Sequence, residues 1–289
     1  MTVSAAISQA RVDFHQDVLA RVLRVTGEGT PNNADKDSSL SVAIAASVLS
    51  AIGTAEQGVM SGQSLGSSFE QCCERFLNAT FPKLHNIRPG DWVIDRSGPS
   101  HRAGAKGIAR FEQYGHLIAL KTAAETSSEL AAALGTDYII KPDIMVYRSP
   151  VDDLVLNAGQ PVVDAQAATL TSLRGANQED ALLHASVSCK WTIRSDRSQN
   201  SRAEALNLIR NRKGHVPHIV AVTAEPLPSR IASIALGTGD LDCVYHFALY
   251  ELQHAVALFG NDDSKEILNT MINGKRLKDI SDLPLDLAI

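Results

Sequence analysis

Hydrophobic residues in the first half of the chain recur at the spacing of helix faces. Apolar positions three or four residues apart predict helices over residues 9–23 and 40–52 and from Ser67 to Thr80. The stretch 109–134 is rich in Ala and Leu and predicts a long helix, which Gly135 would close as a C-terminal cap. The N-terminal part of the chain is therefore predicted to be mainly helical.

Strand-like runs follow in the second half. In chain order, the predicted strands cover residues 92–94, 137–147, 181–193 and 218–223. A helix over residues 202–212, ended by Gly214, separates the last two, and a final helix over 242–258 precedes a polar tail. Strand–helix–strand order is typical of a mixed or parallel sheet with helices on its faces. With no internal repeat or low-complexity segment, we expect one α/β domain over residues 1–289.

The bulk composition is that of an ordinary globular protein. The chain has 289 residues, of which 44% are hydrophobic and 20% charged. The longest apolar run, residues 40–52, is too short to cross a bilayer, and the start Met1-Thr-Val-Ser lacks the features of a signal peptide. The four cysteines have neither zinc-site nor disulfide-framework spacing. We therefore expect a cytoplasmic protein.

Charge is distributed unevenly along the chain. The net charge is −5, yet residues 188–216 contain seven basic and two acidic side chains, a local excess of +5. A basic run of this kind is either a solvated helix face or a surface for nucleic acid, and the acidic remainder would confine DNA to that one surface. Both interpretations stay open on charge alone.

The strand over residues 181–193 has a polar face that ends in a lysine. The alternation of a strand places four polar residues on that face, namely His184, Ser186, Ser188 and Lys190. Ala185, Val187, Cys189 and Trp191 fall on the opposite face. A lysine beside an apolar face needs an anionic partner or solvent. Asp143, in the preceding predicted strand, is a candidate partner if the two strands are neighbours.

These residues have the chemistry of a magnesium-dependent phosphodiesterase. Mg²⁺ takes oxygen ligands, usually one or two carboxylates with water and phosphate oxygens. Asp143, Glu204 and the backbone carbonyl of Cys189 would supply that set. A bound metal neutralises phosphate charge and activates water, and Lys190 beside the water would assist. The conjunction predicts a Mg²⁺-dependent DNA nuclease.

Each of these residues also has a structural interpretation. Ser201-Arg-Ala-Glu204 and Ser67-Ser-Phe-Glu70 match the capping box, in which the glutamate satisfies the start of its own helix. Lys190 alone is more often a lysine at the edge of a strand. We expect the functional interpretation to prevail because the Pro-Asp, strand-lysine and helix-glutamate features occur together.

Two other motifs carry less chemistry. Gly62-Gln-Ser-Leu-Gly66 matches the nucleophile elbow of serine hydrolases, but residues 54–61 give no signal for the strand that must precede such a serine. Gly237-Thr-Gly239 lacks the strand and third glycine of a dinucleotide loop and is most simply a turn. Neither motif changes the nuclease interpretation.

The cluster Arg194-Ser-Asp196-Arg197 has the chemistry for reading base edges. Arginine pairs with O6 and N7 of guanine, and only an acceptor such as aspartate can use the N4 amino group of cytosine. Two arginines would read two adjacent guanines, and a symmetric dimer would repeat the contacts on the other strand, giving a CCGG palindrome. The alternative is a surface Arg–Asp cluster.

The sequence resembles the PD-(D/E)xK nucleases, specifically the type II restriction endonucleases that read CCGG cores. The stretches that carry the resemblance are His184-Ala-Ser-Val-Ser-Cys-Lys-Trp-Thr-Ile-Arg-Ser-Asp-Arg-Ser-Gln-Asn200, residues 222–230 and residues 273–288. It covers nearly the whole chain and is weakest over the first 60 residues. It implies a central mixed β-sheet flanked by helices, in a restriction-endonuclease-like fold.

The resemblance also implies site residues. Asp143, Lys190 and Glu204 would form the metal and catalytic core, with two Mg²⁺ per active site. Glu70 would be a supporting carboxylate, and Ser188 stands where the wider superfamily has an acid. This departure is itself typical of the CCGG branch, in which the second acid lies on the helix as Glu204.

Recognition and assembly follow from the same resemblance. The implied readers of the core are Arg194, Asp196 and Arg197. Those of the outer base pair are Arg230, Asp35 and Gln63. The family implies a homotetramer of two dimers, each holding one DNA duplex, and the target GCCGGC cut before the first C. Alternatives are a repair or junction-cleaving nuclease of the same fold and a DNA-binding protein without catalysis.

Overall fold

The fold was taken from a computed structural model. It describes residues 4–99, 107–126, 129, 140–193, 195–237 and 239–289. The chain divides into two compact units. The first comprises Met1–Pro89, Val187–Ala205 and Ile219–Ile289, and the second comprises Gly90–Ser186 and Leu206–His218. The single domain over residues 1–289 stays a prediction.

The helices and strands alternate more in the second half of the chain than in the first. The helices are α1 Ala6–Arg21, α2 Ser39–Ile52, α3 Gly62–Thr80, α4 His116–Thr126, α5 Asp153–Leu156, α6 Ser195–Asn211, α7 Pro228–Ala235, α8 Leu249–Phe259, α9 Asp262–Asn273 and α10 Leu283–Asp286. The strands are β1 Arg24–Val25, β2 Glu56–Gln57, β3 Trp92–Asp95, β4 Ile144–Arg148, β5 Leu182–Lys190, β6 His218–Thr223, β7 Cys243–His246 and β8 Leu277–Asp279.

Strands β3 to β8 are hydrogen-bonded in that order in a six-stranded mixed sheet. β3 pairs antiparallel with β4, whereas β6, β7 and β8 run parallel to one another. β7 is buried at all four positions, as expected of a parallel strand covered on both faces. The expected fold class, a mixed sheet flanked by helices, is confirmed.

In the first unit, helices bury their apolar faces against one another and against the parallel strands. α1 packs on α3, α2 on α8, and α7 on α9. The rings of Phe14 on α1 and Phe76 on α3 lie 5.4 Å apart. Both side chains are buried, so the helical spacing read from the sequence does mark the core face of α3.

In the second unit, aromatic residues form the core beside β4. Phe111 and Tyr114 are fully buried, and the Phe111 ring lies 5.3 Å from that of Tyr147. The side-chain amide of Gln113 donates to the carbonyl of Leu183 at 2.8 Å and accepts from its N–H at 3.1 Å. The buried amide thus completes the backbone hydrogen bonding at the start of β5.

Several predicted boundaries are wrong. The helix predicted over 109–134 begins only at His116, because residues 107–114 form two 3-10 turns that bury Ile108, Phe111 and Tyr114. The part of that prediction beyond Thr126, apart from residue 129, lies outside the described residues, and so does Gly135. Within the described chain, the strand predicted over 137–147 starts at Ile144, two residues after Pro142, which cannot donate to a ladder. Residues 137–139 are not described.

The C-terminal prediction also needs correction. Residues predicted as the start of a helix over 242–258 form strand β7, and helix α8 begins at Leu249. The predicted polar tail contains helix α9 and strand β8. The prediction for residues 218–223 is confirmed at both ends. In the described part of the chain, none of the helices has the length and apolar character needed to cross a membrane.

Candidate functional site

The end of β5 presents its polar residues as the alternation predicted. Val187 and Cys189 are buried, whereas Ser188 and Lys190 are half-buried. The backbone carbonyl of Lys190 accepts a hydrogen bond from the N–H of Ala224 at 3.4 Å. The backbone at Lys190 is therefore hydrogen-bonded to the residue that follows β6.

Helix α3 packs against the same strand end. The ring of Phe69 lies 5.1 Å from that of Trp191 in an edge-on arrangement, and both side chains are buried. Glu70 is the residue after Phe69 on α3, and Lys190, the last residue of β5, comes directly before Trp191. Glu70 is half-buried. The packing brings the segment of α3 that carries Glu70 to the end of β5. The supporting role of Glu70 stays a prediction.

Both capping-box interpretations are wrong. Helix α6 begins at Ser195, so Ser201 and Glu204 lie well inside it. Helix α3 begins at Gly62, where the hydroxyl of Ser61 accepts the N–H of Ser64 at 3.2 Å. Glu70 likewise lies inside its helix. Neither glutamate satisfies a helix start, and Glu204 is half-buried. Local capping therefore does not account for these two carboxylates.

Asp143 lies in the second unit, immediately before the buried strand β4. Its side chain is half-buried, and Pro142 before it is buried. Its predicted meeting with Lys190 and Glu204 stays a prediction. Among the described residues, no three His, Cys, Asp or Glu side chains form a ready metal site. Two carboxylates and a backbone carbonyl would nonetheless fit Mg²⁺, which prefers a sparse set of hard oxygen donors.

A cavity of about 860 Å³ opens in the first unit beside the end of β5. Its lining includes Thr192 and Ile193 from the chain after β5, Asp35 from the loop before α2, and Arg230 from α7. The Arg230 guanidinium donates a hydrogen bond to the Asp35 carboxylate. Both side chains remain partly exposed, at 33% and 27%. Two residues predicted to read the outer base pair thus meet in one cavity.

Three of the other predicted base-contacting residues lie in the first turns of helices. Arg194 lies outside the described residues. Asp196 and Arg197 fall in the first turn of α6, where the course of the backbone alone is described. Gln63 is exposed in the first turn of α3 and is not among the described residues that line the cavity. Their contacts with DNA remain predictions.

A buried carboxylate that the sequence analysis missed lies behind this cavity. Glu225 is fully buried, and its Oε2 accepts the N–H of Ile193 at 2.9 Å while its Oε1 accepts that of Leu227 at 3.1 Å. Burial raises the pKa of Glu225, and those two N–H donors and Arg230 act in the opposite direction. The available sequence signal was a glutamate just after the buried strand β6.

The Gly62–Gly66 motif lacks the strand that a nucleophile elbow requires directly before its serine. Ser64 lies in the first turn of α3, and its hydroxyl is 2.8 Å from that of Ser61. Contrary to the expectation for residues 54–61, Glu56 and Gln57 form strand β2, but both are exposed and residues 58–61, between them and the helix, contain no strand. The rejection of a serine hydrolase is consistent with this geometry. Thr238, in the middle of the Gly237–Gly239 motif, lies outside the described residues.

Comparison with known proteins identifies the family. The profile of the family described as NgoMIV restriction enzyme matches residues 14–289. The chain is 51% identical over 286 residues to the type II restriction enzyme NgoMIV of Neisseria gonorrhoeae, covering 98% of each chain. A solved complex of the restriction endonuclease PspGI with substrate DNA matches with 14% identity and a TM-score of 0.31, over 98% of this chain and 90% of that one.

A match of that extent and identity leaves one assignment. The chain belongs to the NgoMIV restriction enzyme family. Such an enzyme is a site-specific endonuclease.

Proposed function

We propose that this protein is a type II restriction endonuclease that cleaves double-stranded DNA at the palindrome GCCGGC in the presence of Mg²⁺. The proposed cut lies before the first C and leaves 5′-phosphates, 3′-hydroxyls and four-base 5′ overhangs. The observation that carries the proposal is the 51% identity to a type II restriction enzyme along 98% of the chain. A single domain and a cytoplasmic location belong to the same proposal.

The catalytic assignment rests on the predicted core. The carboxylates of Asp143 and Glu204 and the carbonyl of Cys189 would hold the metal, with two ions per active site. Bound Mg²⁺ would neutralise charge on the scissile phosphate and lower the pKa of a water. The half-buried ammonium of Lys190 orients the attacking water and offsets charge on the phosphate oxygens, while Glu70 and Ser188 support that arrangement from the neighbouring positions.

The Arg230–Asp35 pair suits an outer G·C base pair. Arginine donates two hydrogen bonds to guanine O6 and N7, and an adjacent carboxylate accepts from N4 of the paired cytosine. In the protein alone the Arg230 guanidinium donates to the Asp35 carboxylate in the cavity, which holds the two groups side by side. Gln63 would contribute to the same pair, while Arg194, Asp196 and Arg197 would read the CCGG core.

Assembly into a homotetramer is supported by apolar side chains in the second unit. Leu154, Val155, Val162 and Leu170 are 83%, 66%, 63% and 95% exposed, all between β4 and β5. The segment is fixed rather than extended, because Arg174 donates twice to Asp153, each time at 2.6 Å. Where exposed apolar side chains lie together, they form the kind of surface that another chain covers. We assign that role to a second copy of this chain, giving two dimers with one duplex each.

The deciding experiment is digestion of DNA of known sequence with and without Mg²⁺, followed by sequencing of both ends. The proposal requires cuts only at GCCGGC, only with metal, and with four-base 5′ overhangs. Cleavage at branched or damaged DNA without sequence preference would indicate a repair or junction-cleaving nuclease. Specific binding with no cleavage at any metal concentration would indicate a DNA-binding protein.

A further inference from the structure

The buried carboxylate of Glu225 joins chain segments that carry the proposed base contacts. Its Oε2 holds the N–H of Ile193, the residue before Arg194, at 2.9 Å. Its Oε1 holds the N–H of Leu227 at 3.1 Å, and helix α7 with Arg230 starts at the next residue. One side chain thus fixes the backbone just before two proposed base-reading arginines.

Two further contacts bring the outer readers into the same group. The Arg230 guanidinium lies 4.0 Å from Oε2 of Glu225 while it donates to Asp35. The loop that carries Asp35 is fastened next to Glu225, because the buried amide of Asn33 donates to the carbonyl of Ala224 at 2.9 Å. The loop before α2, the chain after β5 and the start of α7 are therefore all tied at residues 224 and 225.

Burying the carboxylate of Glu225 costs free energy of folding. A buried charge must recover its lost hydration from hydrogen bonds or a partner charge. Glu225 uses both oxygens for backbone N–H groups, and its own N–H donates to the hydroxyl of Thr223 at 3.1 Å. Two acceptors in a fixed geometry hold two segments at a defined spacing, which an apolar residue of the same volume cannot do.

We propose that Glu225 is a positioning residue for sequence discrimination, which keeps the segments carrying Arg194 and Arg230 in register so that inner and outer base contacts form together. The inference rests on the proposed function. It also goes beyond it, because Glu225 itself lies behind the cavity wall and is assigned no contact with DNA.

The substitution Glu225→Gln tests this role through its hydrogen-bond pattern. Glutamine keeps the volume but has one acceptor, so either orientation places an NH₂ group against the N–H of Ile193 or of Leu227. The attraction for Arg230 is lost as well. Discrimination should therefore fall at the outer and the core base pairs together, whereas loss of Arg230 alone should affect the outer pair.

The measurement is binding of metal-free protein to the GCCGGC duplex and to duplexes with one outer or one core pair changed, at two salt concentrations. For Glu225→Gln we expect the ratio of cognate to altered affinity to fall about tenfold or more at both positions, with unchanged salt dependence. Glu251→Gln is the matched control, since Glu251 is a partly buried carboxylate whose ion pair is with Arg11 on helix α1.

Unchanged ratios in a folded Glu225→Gln protein, or a loss confined to the outer pair, would overturn the positioning role. If that variant does not fold, amide hydrogen exchange in the unmodified protein decides. Protection of both the Ile193 and Leu227 amides supports the role, and exchange of either at the rate of an exposed loop overturns it. An unmodified protein that shows no preference for GCCGGC defeats the proposed function instead.

Discussion

The guanidinium of Arg230 donates a hydrogen bond to the carboxylate of Asp35, a residue 195 positions earlier in the chain. Both line one cavity and both remain partly exposed. An ion pair between exposed groups contributes little to stability, typically below about 1 kcal/mol. We infer that the pair serves recognition, because guanidinium donors beside a carboxylate acceptor match the two acceptors of guanine and the amino donor of cytosine.

Replacing either member should reduce discrimination at the outer base pair. Arg230→Ala and Asp35→Ala are each expected to cost roughly 1–3 kcal/mol of preference for the outer G·C pair, and the double variant should lose less than the sum. Affinities for duplexes with each outer pair measure the effect. The exposed pair of Arg21 and Asp17, 3.3 Å apart, is the matched control. An equal loss for all duplexes would assign Arg230 to the phosphates instead.

Lys190 should be needed for cleavage and not for specific binding. In the proposed mechanism Lys190 acts on the water and the phosphate charge, so Lys190→Ala is expected to lower the cleavage rate by at least roughly 10²–10³-fold while cognate affinity changes little. Single-turnover cleavage and metal-free binding separate the two effects. Lys213→Ala, an exposed lysine of the same basic run, should retain cleavage. A parallel loss of binding and cleavage would make Lys190 a structural lysine.

Glu204 should act through the metal. Because α6 begins nine residues earlier, at Ser195, Glu204→Gln leaves the helix start intact. We expect an unchanged unfolding midpoint together with loss of cleavage, or cleavage only at much higher Mg²⁺, since an amide is a poorer ligand for a hard cation than a carboxylate. Glu266→Gln, an exposed glutamate inside α9, is the control. Full activity of Glu204→Gln would remove it from the metal site.

The sequence predicts elements well where one pattern dominates. The run 218–223 is apolar, β-branched and bounded by turn residues, and β6 has those bounds. The prediction of a helix over residues 243–246 was wrong because a strand buried on both faces shows no alternation of apolar and polar residues, so its sequence resembles that of a buried helix. The capping-box interpretations were wrong because a four-residue motif does not show whether the helix has already begun upstream.

The candidate site divides in the same way. The partial exposure of Ser188 and Lys190 follows from the two-residue alternation of a strand. The charged residues of the site could be proposed from their residue types alone. Glu225 was missed because its role depends on the backbone N–H of Ile193, 32 positions away, and backbone partners leave no trace in residue identity. The pairing of Arg230 with Asp35 likewise depends on how distant segments meet.

The exposed apolar segment between β4 and β5 should govern assembly. Leu170→Lys is expected to shift the tetramer to dimers, because a charge at a residue 95% exposed in the single chain would be buried by a second copy. Sedimentation measures the mass, and the unmodified enzyme should cut two-site DNA faster than one-site DNA. Val59→Lys, 91% exposed in the first unit, should change neither. A dimer that cuts both substrates equally would contradict this assembly.

Acid should destabilise the first unit through His246 at the end of β7. Burial lowers the pKa of this imidazole to about 4, below its ordinary value of 6.5. Its Nδ1 accepts the N–H of Ala248 at 3.2 Å, which requires the neutral ring. Since the folded pKa is the lower one, the unfolded chain takes up the proton first. The stability contributed by the neutral His246 is therefore fully present above pH 6.5 and is lost as the pH drops towards 4.

The contribution of His246 can be isolated with His246→Asn, whose side-chain oxygen can also accept the Ala248 N–H. Between pH 7.5 and pH 5 the unmodified protein should lose about 2 kcal/mol more unfolding free energy than the variant. Other groups, such as the buried His15, lose stability in the same direction in both proteins. Urea unfolding at the two pH values provides the measurement, with the exposed His85→Asn as control. Equal losses in His246→Asn and the unmodified protein would show that His246 is not held neutral by burial.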